Sequence, residues 1–302
     1  MGTSSFDAYV VGSGVDGFRG HLNVRSLPAA SAAFSISLHR DIPHHVLDAR
    51  SGLRTVGRFT RKSSAPVVAT FHEAVDARRQ PTWLDERVTA AILVSESQRP
   101  AFRDRFPAER TFVVPYAVDT DRFAPAAAPV TEARIAVPSA GCDETLLTRV
   151  TAQTRSQQTD AVFLRVNGSD AQRAAGYQSA RVALFPFAPV VASHALLEAM
   201  ATGMPIVATD VGAVREYTDH AAILVAPDDA TALADAVVRV LNEPELAAEL
   251  GRRARARAVD FDLATAAPTP RRDGGAAGCR YAGLLTQRLT SSPTPSIAVV
   301  IT

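Results

Sequence analysis

Lysine is nearly absent from this sequence. The chain has 32 lysine and arginine residues, and Lys62 is the only lysine among them. Schiff-base catalysis needs a lysine amine, so we do not expect that chemistry here. Nearly all cationic contacts must come from arginine, whose planar guanidinium suits bidentate pairing with carboxylates and phosphates.

Cysteine is also scarce. The two cysteines, Cys142 and Cys279, are far apart in the chain and fit no metal-ligand spacing. We therefore expect free thiols and no metal site built on cysteine.

Long apolar runs and an excess of charge are missing as well. No window reaches the roughly 18 apolar residues that a membrane span needs, and no basic segment precedes an apolar core at the start of the sequence. The net charge of +1 gives no case for attracting nucleic acid or membranes through bulk electrostatics. We expect a cytoplasmic protein with no membrane span and no nucleic-acid partner.

One stretch carries a complete strand–loop–helix–strand pattern. An apolar run at Val182–Phe185 is stopped by a proline, which predicts a buried parallel strand. Ser193 precedes a helical pattern and is positioned to cap it with its hydroxyl. Gly203 and Pro205 end that helix, and Ile206–Thr209 predicts the next strand. The pattern indicates a right-handed crossover in a parallel sheet.

The start of this predicted helix is a candidate site for a phosphate. Ligands of parallel α/β sheets bind at the carboxyl ends of the strands, where helices present free N–H groups and the positive end of their dipole. Ser193 and His194 lie at this helix start, so we take both as candidate ligand-binding residues.

A glycine-rich segment follows the first predicted strand, residues 8–11. Three glycines have the G-x-G-x-x-G spacing of dinucleotide-binding loops: Gly12, Gly14 and Gly17. A helix is predicted from Phe18 to Pro28, and Asp41 is the nearest acidic residue in the position expected for ribose binding. Two alternatives stay open, a nicotinamide-dependent oxidoreductase and the first loop of another Rossmann-like domain, and Gly12 and Gly14 are candidate ligand contacts in either.

The segment LLEAMATGMPIVATDVGAVREY, residues 196–217, resembles the donor-binding segment of retaining, nucleotide-sugar-dependent glycosyltransferases with the GT-B fold, close to glycosyltransferase family 4. The resemblance implies an α/β protein with two Rossmann-like domains that face each other across a cleft. It implies transfer of a sugar from a nucleotide diphosphate donor to an acceptor hydroxyl with retention, with no cofactor beyond the donor substrate and no metal. Glu198 matches the family glutamate that binds the ribose of the donor.

Histidines follow two further predicted strands in segments that are similar to this family. VATFHEAVD, which contains His72, resembles the family's V-A-T-F-H segment, and SLHRDIP, which contains His39, resembles a loop with a histidine near the donor sugar. We take His39 and His72 as candidate catalytic residues. His44 and His45 lie nearby and are alternatives for the second match.

The segment TFVVPYAVDTDRFAP resembles the family's connection between its two domains. We therefore expect an N-terminal Rossmann-like acceptor domain over residues 1–118 and a C-terminal donor domain over residues 130–290. Residues 291–302 contain a Ser/Pro linker and the apolar run SIAVVIT. That run predicts either the first strand of a further, fused glycosyltransferase domain or an added edge strand of this protein.

The sequence departs from the family where the donor diphosphate is bound. Ala140 stands where the family has a lysine, and Val190 stands eight residues before Glu198, where the family has its first glutamate. The remaining sources of positive charge are the helix-start amides and an arginine such as Arg165 or Arg215, of which Arg215 is our candidate donor contact. We therefore expect weak donor binding, and the alternative function is a degenerate homologue that serves as a non-catalytic partner subunit of another protein.

Overall fold

The computed structural model describes residues 8–12, 24–28, 44–46, 66–72, 86–128, 130–188, 193–263 and 298–301. The chain divides into two compact units. The N-terminal unit comprises Met1–Val114 and Tyr281–Thr302, and the C-terminal unit comprises Pro115–Arg280. The connection between the two units falls between Val114 and Pro115.

The described strands of the N-terminal unit form one parallel sheet with the order β2-β1-β12-β3-β4-β5-β6. These strands are β1 (Ala8–Gly12), β2 (Val24–Pro28), β3 (His44–Val46), β4 (Val67–Phe71), β5 (Ala90–Leu93), β6 (Thr111–Val113) and β12 (Ala298–Ile301). The helix predicted to reach Pro28 is wrong over Val24–Pro28, because these residues are strand β2. Proline is tolerated there because it ends the strand.

Strand β12 lies inside the N-terminal sheet, between β1 and β3, and pairs in parallel with both. Its sequence, AVVI, has the β-branched residues that favour strands. The segment is therefore an inner strand of this sheet and not the edge strand that one of the two sequence-based alternatives expects.

The carboxyl ends of β4 and β5 are held by a capping box. Ser95 caps a single 3-10 turn, Glu96–Gln98, which leads into the short helix α1 (Arg99–Phe102). The Gln98 side chain accepts from the backbone N–H of Val94 and Ser95 and donates to the carbonyl of Phe71 at 3.0 Å. These bonds satisfy backbone groups that leave the ladder at the strand ends.

The C-terminal unit is a second parallel sheet with the order β11-β10-β9-β7-β8. Its strands are β7 (Arg134–Pro138), β8 (Val162–Val166), β9 (Val182–Phe185), β10 (Ile206–Thr209) and β11 (Ala222–Val225). Its helices are α2 (Glu144–Gln157), α3 (Asp170–Gln178), α4 (His194–Ala201), α5 (Val214–Thr218), α6 (Ala230–Asn242) and α7 (Pro244–Val259). The chain reverses its direction across the sheet between β7 and β9, which makes this the topological switch point.

Local sequence signals explain where these helices begin. Asp143, Ser169 and Asp229 each accept a hydrogen bond from a backbone N–H in the first turn of α2, α3 and α6, respectively. Helices α2 and α6 bury their apolar faces in a core on one side of the sheet. That core includes Ile135 and Leu184 from the central strands.

Helix α7 packs closely on helix α4. A Cβ placed on Gly251 would clash with the carbonyl oxygen of Gly203, so the two backbones are in direct contact there. Arg255 donates to the carbonyls of Ala201, Thr120 and Phe123 at 2.7, 3.0 and 3.2 Å. It thereby ties the end of α4 to the segment 119–123. In the part of the chain that the structure describes, no helix combines the length and apolarity needed to cross a membrane.

Candidate functional site

Two loops meet at the switch point of the C-terminal sheet. The loop after β7 and the loop after β9 are joined by hydrogen bonds from Asp143 N–H to the Pro186 carbonyl at 2.8 Å and from Ala188 N–H to the Gly141 carbonyl at 3.2 Å. Gly141 has a φ of +79°, which favours glycine at this turn. Ligands of open α/β sheets bind at such a point, beyond the carboxyl ends of the strands.

Helix α4 begins beside the loop that follows β9. Ser193 is its N-cap residue, but its side chain makes no capping hydrogen bond, so the predicted hydroxyl cap is not formed. His194 is the first helical residue, is exposed, and stacks on the ring of Tyr116 with 3.9 Å between ring centroids. The backbone N–H of Tyr116 donates to the hydroxyl of Tyr217 at 2.9 Å.

Glu198 lies in the middle of α4, a helix whose residues from Leu196 to Ala201 are all buried. Only 7% of Glu198 is exposed. Both of its carboxylate oxygens accept hydrogen bonds from Arg173 on α3, from Nε to Oε2 at 2.8 Å and from Nη2 to Oε1 at 2.7 Å. A buried carboxylate needs such a partner, because an unpaired buried charge is strongly unfavourable.

Arg173 belongs to an ionic network that extends from this pair. Its Nη2 also donates to Asp170 at 3.0 Å, its Nη1 donates to the Gly168 carbonyl at 2.7 Å, and its guanidinium lies over the ring of Phe123. Arg122 donates to the other carboxylate oxygen of Asp170. The hydrogen bond from Arg122 lowers the pKa of Asp170, and the hydrogen bond to Glu198 raises the pKa of Arg173. Both shifts favour the charged forms of Asp170 and Arg173.

The arginines expected near the donor diphosphate are engaged elsewhere. Arg215 is exposed and pairs with Asp210, and the hydrogen bond to Asp210 raises the pKa of Arg215. Arg165 pairs with Glu144 at 2.7 Å. Arg173 is not among the residues predicted from the sequence. Its position near the start of the helix after β8 could have indicated it, because that helix begins at the ligand-binding edge of the sheet.

The remaining predicted residues belong to the N-terminal unit or are outside the described residues. Gly12 is the last residue of β1, and His72 directly follows β4 and is half-buried. The alternatives His44 and His45 are residues of strand β3. The predicted positions outside the described residues include Gly14, Gly17, His39, Asp41 and Val190.

Two Asp-x-Asp triplets, residues 119–121 and 260–262, could supply carboxylates to a metal. Asp119 instead accepts from the backbone N–H of Arg122 at 2.9 Å, and Asp262 accepts from the hydroxyl of Thr120. Asp260 pairs with Arg257 at 2.9 Å. Among the described residues, no three or more His, Cys, Asp or Glu side chains are grouped so that they could hold a metal ion.

Cys142 lies in the loop after β7, where its thiol donates to the Pro138 carbonyl at 3.3 Å. Burial raises the pKa of this thiol to about 11. The thiolate is the nucleophilic form of cysteine, so Cys142 is unreactive at neutral pH.

Part of the C-terminal unit is similar to known proteins. Residues 121–243 match the family model for glycosyl transferases group 1. Over 57 residues the chain is 46% identical to the lipopolysaccharide core biosynthesis mannosyltransferase LpsB of Rhizobium meliloti, a match that spans 17% of this chain and 16% of that relative.

Solved structures share the fold over most of the chain. Sucrose-phosphate synthase from Thermosynechococcus elongatus has a TM-score of 0.61 at 17% identity, covering 81% of this chain and 78% of that one. HepE of Anabaena, in complex with UDP and glucose, has a TM-score of 0.65 at 14% identity, covering 85% of this chain and 96% of that one. This chain therefore has the α/β fold of the GT-B glycosyltransferases, and residues 121–243 of its C-terminal unit are similar to the group 1 glycosyl transferases.

Proposed function

We propose that this protein transfers a sugar from a nucleoside diphosphate donor to an acceptor hydroxyl, with retention of configuration. The observation that carries the proposal is the buried carboxylate of Glu198, on the helix that follows the switch-point strand β9 and within the matched residues 121–243. The Anabaena HepE structure, which contains UDP and glucose, supports this class of donor.

The proposal gives each candidate residue a role. Glu198 accepts hydrogen bonds from the ribose hydroxyls, and the amides at the start of α4, beside Ser193 and His194, face the diphosphate. Charge that develops on the departing diphosphate is stabilised by fixed donors, and the acceptor is held in position, so the enzyme needs no covalent nucleophile. In the N-terminal unit, His39 and His72 are the proposed catalytic residues, and Gly12 and Gly14 are proposed ligand contacts.

A second candidate function is nucleotide-sugar binding without catalysis, in a subunit that supports a protein partner. The observation that favours it is that the arginines expected to bind the phosphates already have carboxylate partners. Arg165 and Arg215 are both in ion pairs with carboxylates, and Ala140 is exposed and neutral. A donor diphosphate would have to compete with Glu144 or Asp210 for either arginine.

Calorimetric titration with UDP, GDP, ADP and NAD tests the donor site. We expect one nucleoside diphosphate to bind and NAD not to bind. In the Glu198→Ala variant that binding should weaken by about 1.5–3 kcal/mol, because hydrogen bonds to a charged acceptor are lost. Glu132→Ala is the matched control, since Glu132 forms an exposed ion pair with Arg134. Equal binding by the parent and the Glu198→Ala variant would show that the donor-site assignment is wrong.

Turnover separates the two candidate functions. The protein is incubated with the nucleotide-sugar of the nucleoside diphosphate that binds, together with a mixture of acceptor sugars, and nucleoside diphosphate release is followed. The anomeric configuration of any product is then read by NMR. A product with the configuration of the donor supports a retaining transferase, an inverted product refutes retention, and tight binding without turnover supports the non-catalytic candidate.

A further inference from the structure

Within the part of the chain that the structure describes, hydrogen bonds use only half of the acceptor capacity of Glu198. An ionised carboxylate has about four lone-pair positions on its two oxygens. Arg173 occupies one position on each oxygen, through the hydrogen bonds of 2.8 and 2.7 Å. One position on each oxygen is left, which matches the number of hydroxyls in a ribose diol.

The guanidinium of Arg173 is itself held in a fixed orientation. Of its five N–H groups, four donate to protein oxygens: two to Glu198, one to Asp170 and one to the Gly168 carbonyl. Its face is covered by Phe123, and only 27% of the side chain is exposed. Since the guanidinium is planar and forms two parallel bonds with Glu198, it also sets the plane of that carboxylate.

We propose that Arg173 is a positioning residue for ribose recognition. It holds the carboxylate plane of Glu198 so that the two unused lone-pair positions face the two hydroxyls of the donor ribose. This inference rests on the proposed function, because it requires that Glu198 bind ribose. Arg173 acts through Glu198, and its effect is on which nucleotides bind.

A lysine at this position distinguishes positioning from charge compensation. Lysine would keep the positive charge beside Glu198, but its ammonium is a point charge and cannot form the two coplanar bonds of a guanidinium. If Arg173 only neutralises a buried carboxylate, Arg173→Lys should behave as the parent does. If Arg173 sets the carboxylate plane, Arg173→Lys should lose ribose selectivity even though charge is retained.

The experiment compares the dissociation constants of ribonucleotides and their deoxy analogues. UDP and 2′-deoxy-UDP are titrated into the parent, Arg173→Lys and Arg173→Met, with the GDP and ADP pairs in parallel. Arg239→Lys is the matched control, because Arg239 forms an exposed ion pair with Glu243 on the surface. Thermal unfolding of each variant is measured alongside.

We expect the parent and the Arg239→Lys control to prefer the ribonucleotide by about tenfold, the value of one hydrogen bond to a charged acceptor. Both Arg173 variants should lose about tenfold more affinity for UDP than for 2′-deoxy-UDP, which keeps only one of the two ribose hydroxyls, so that the preference falls to about one. If Arg173→Met does not fold, Arg173→Lys carries the test.

Three results would overturn the inference. Retention of the ribose preference in Arg173→Lys would show that charge compensation alone is needed. An equal loss of affinity for both nucleotides, accompanied by lower thermal stability, would show a purely structural role. A parent that binds UDP and 2′-deoxy-UDP equally would show that Glu198 does not recognise the hydroxyl. By contrast, a parent that binds no nucleoside diphosphate would refute the proposed function together with this inference.

Discussion

Two buried tyrosines of the C-terminal unit should respond in opposite directions to the same substitution. The hydroxyl of Tyr177 is buried and has no hydrogen-bond partner among the described residues, and none of the Tyr177 residue surface is exposed. The hydroxyl of Tyr217 is buried as well, but it accepts the backbone N–H of Tyr116 at 2.9 Å. Burial raises the pKa of both phenols. Replacement by phenylalanine removes one oxygen atom in each case.

Whether each substitution stabilises or destabilises the protein depends on whether the lost hydroxyl has a hydrogen-bond partner. A buried polar group without a partner costs about 1–3 kcal/mol in desolvation, so Tyr177→Phe should stabilise the unit by about 1 kcal/mol. Tyr217→Phe removes the hydrogen bond that the Tyr116 N–H donates to the hydroxyl, so it should destabilise by about 1–2 kcal/mol. The ring of Tyr217 stacks on Phe261 with 5.1 Å between centroids, and a phenylalanine ring would preserve this contact.

Urea unfolding followed by far-UV circular dichroism measures both effects. The sole tryptophan, Trp83, belongs to the N-terminal unit, so its fluorescence does not report on these two tyrosines. An unchanged m-value shows that stability and not compactness has changed. Tm should move by about 2–4 °C for each kcal/mol in a unit of this size. The reasoning is refuted if Tyr177→Phe destabilises the protein by about 1 kcal/mol or more, because its hydroxyl would then have a stabilising partner.

Three further predictions concern packing, backbone capping and thiol reactivity. Gly251→Ala should destabilise the protein by about 1–3 kcal/mol, because the new Cβ would clash with the Gly203 carbonyl and α7 would have to shift, as measured by urea unfolding. Arg255→Met should cost about 1–3 kcal/mol in the same assay, because three backbone carbonyls lose their donor, whereas the exposed Arg252→Met should change stability by less than about 0.5 kcal/mol. With the other cysteine replaced by serine, Cys142 should alkylate slowly at pH 7–8 and faster as the pH rises towards its pKa of about 11, and a rapid reaction of the folded protein at pH 7 would contradict this burial.

The strands of the C-terminal unit could be predicted because their signals are local. Short apolar runs predict strands at Val182–Phe185 and Ile206–Thr209, and both are formed, as β9 and β10. Signals of this kind need only a few adjacent residues, and the structure follows them wherever the surrounding packing agrees.

Strand β12 shows what a local signal cannot give. The run SIAVVIT indicates a strand, but its position between β1 and β3 depends on pairing with residues at the other end of the sequence. Nothing in the run itself identifies those partners. The predicted helix ending at Pro28 failed for a related reason, because proline ends either a helix or a strand and does not distinguish them.

The candidate site shows the same division between local and distant information. Glu198 could be proposed as a site residue from the sequence because it lies in a recognisable contiguous segment. Arg173 and Asp170 form an ion pair and lie three residues apart on one helix, a spacing that can be recognised in the sequence. The pair between Arg173 and Glu198 joins two different helices, so only the packing of α3 beside α4 reveals it.

The scarcity of lysine has a physical consequence at this site. An ammonium can neutralise one carboxylate, whereas the guanidinium of Arg173 reaches both Asp170 and Glu198 with separate N–H groups. Arg122 completes the pairing of Asp170, so the four groups carry two positive and two negative charges and their sum is zero. Such a network offers a diphosphate no net attraction. If the protein binds a nucleotide-sugar donor as proposed, affinity at the C-terminal unit should depend on directed hydrogen bonds, from helix amides to phosphate and from ribose hydroxyls to Glu198. These bonds are sensitive to orientation in a way that bulk charge is not.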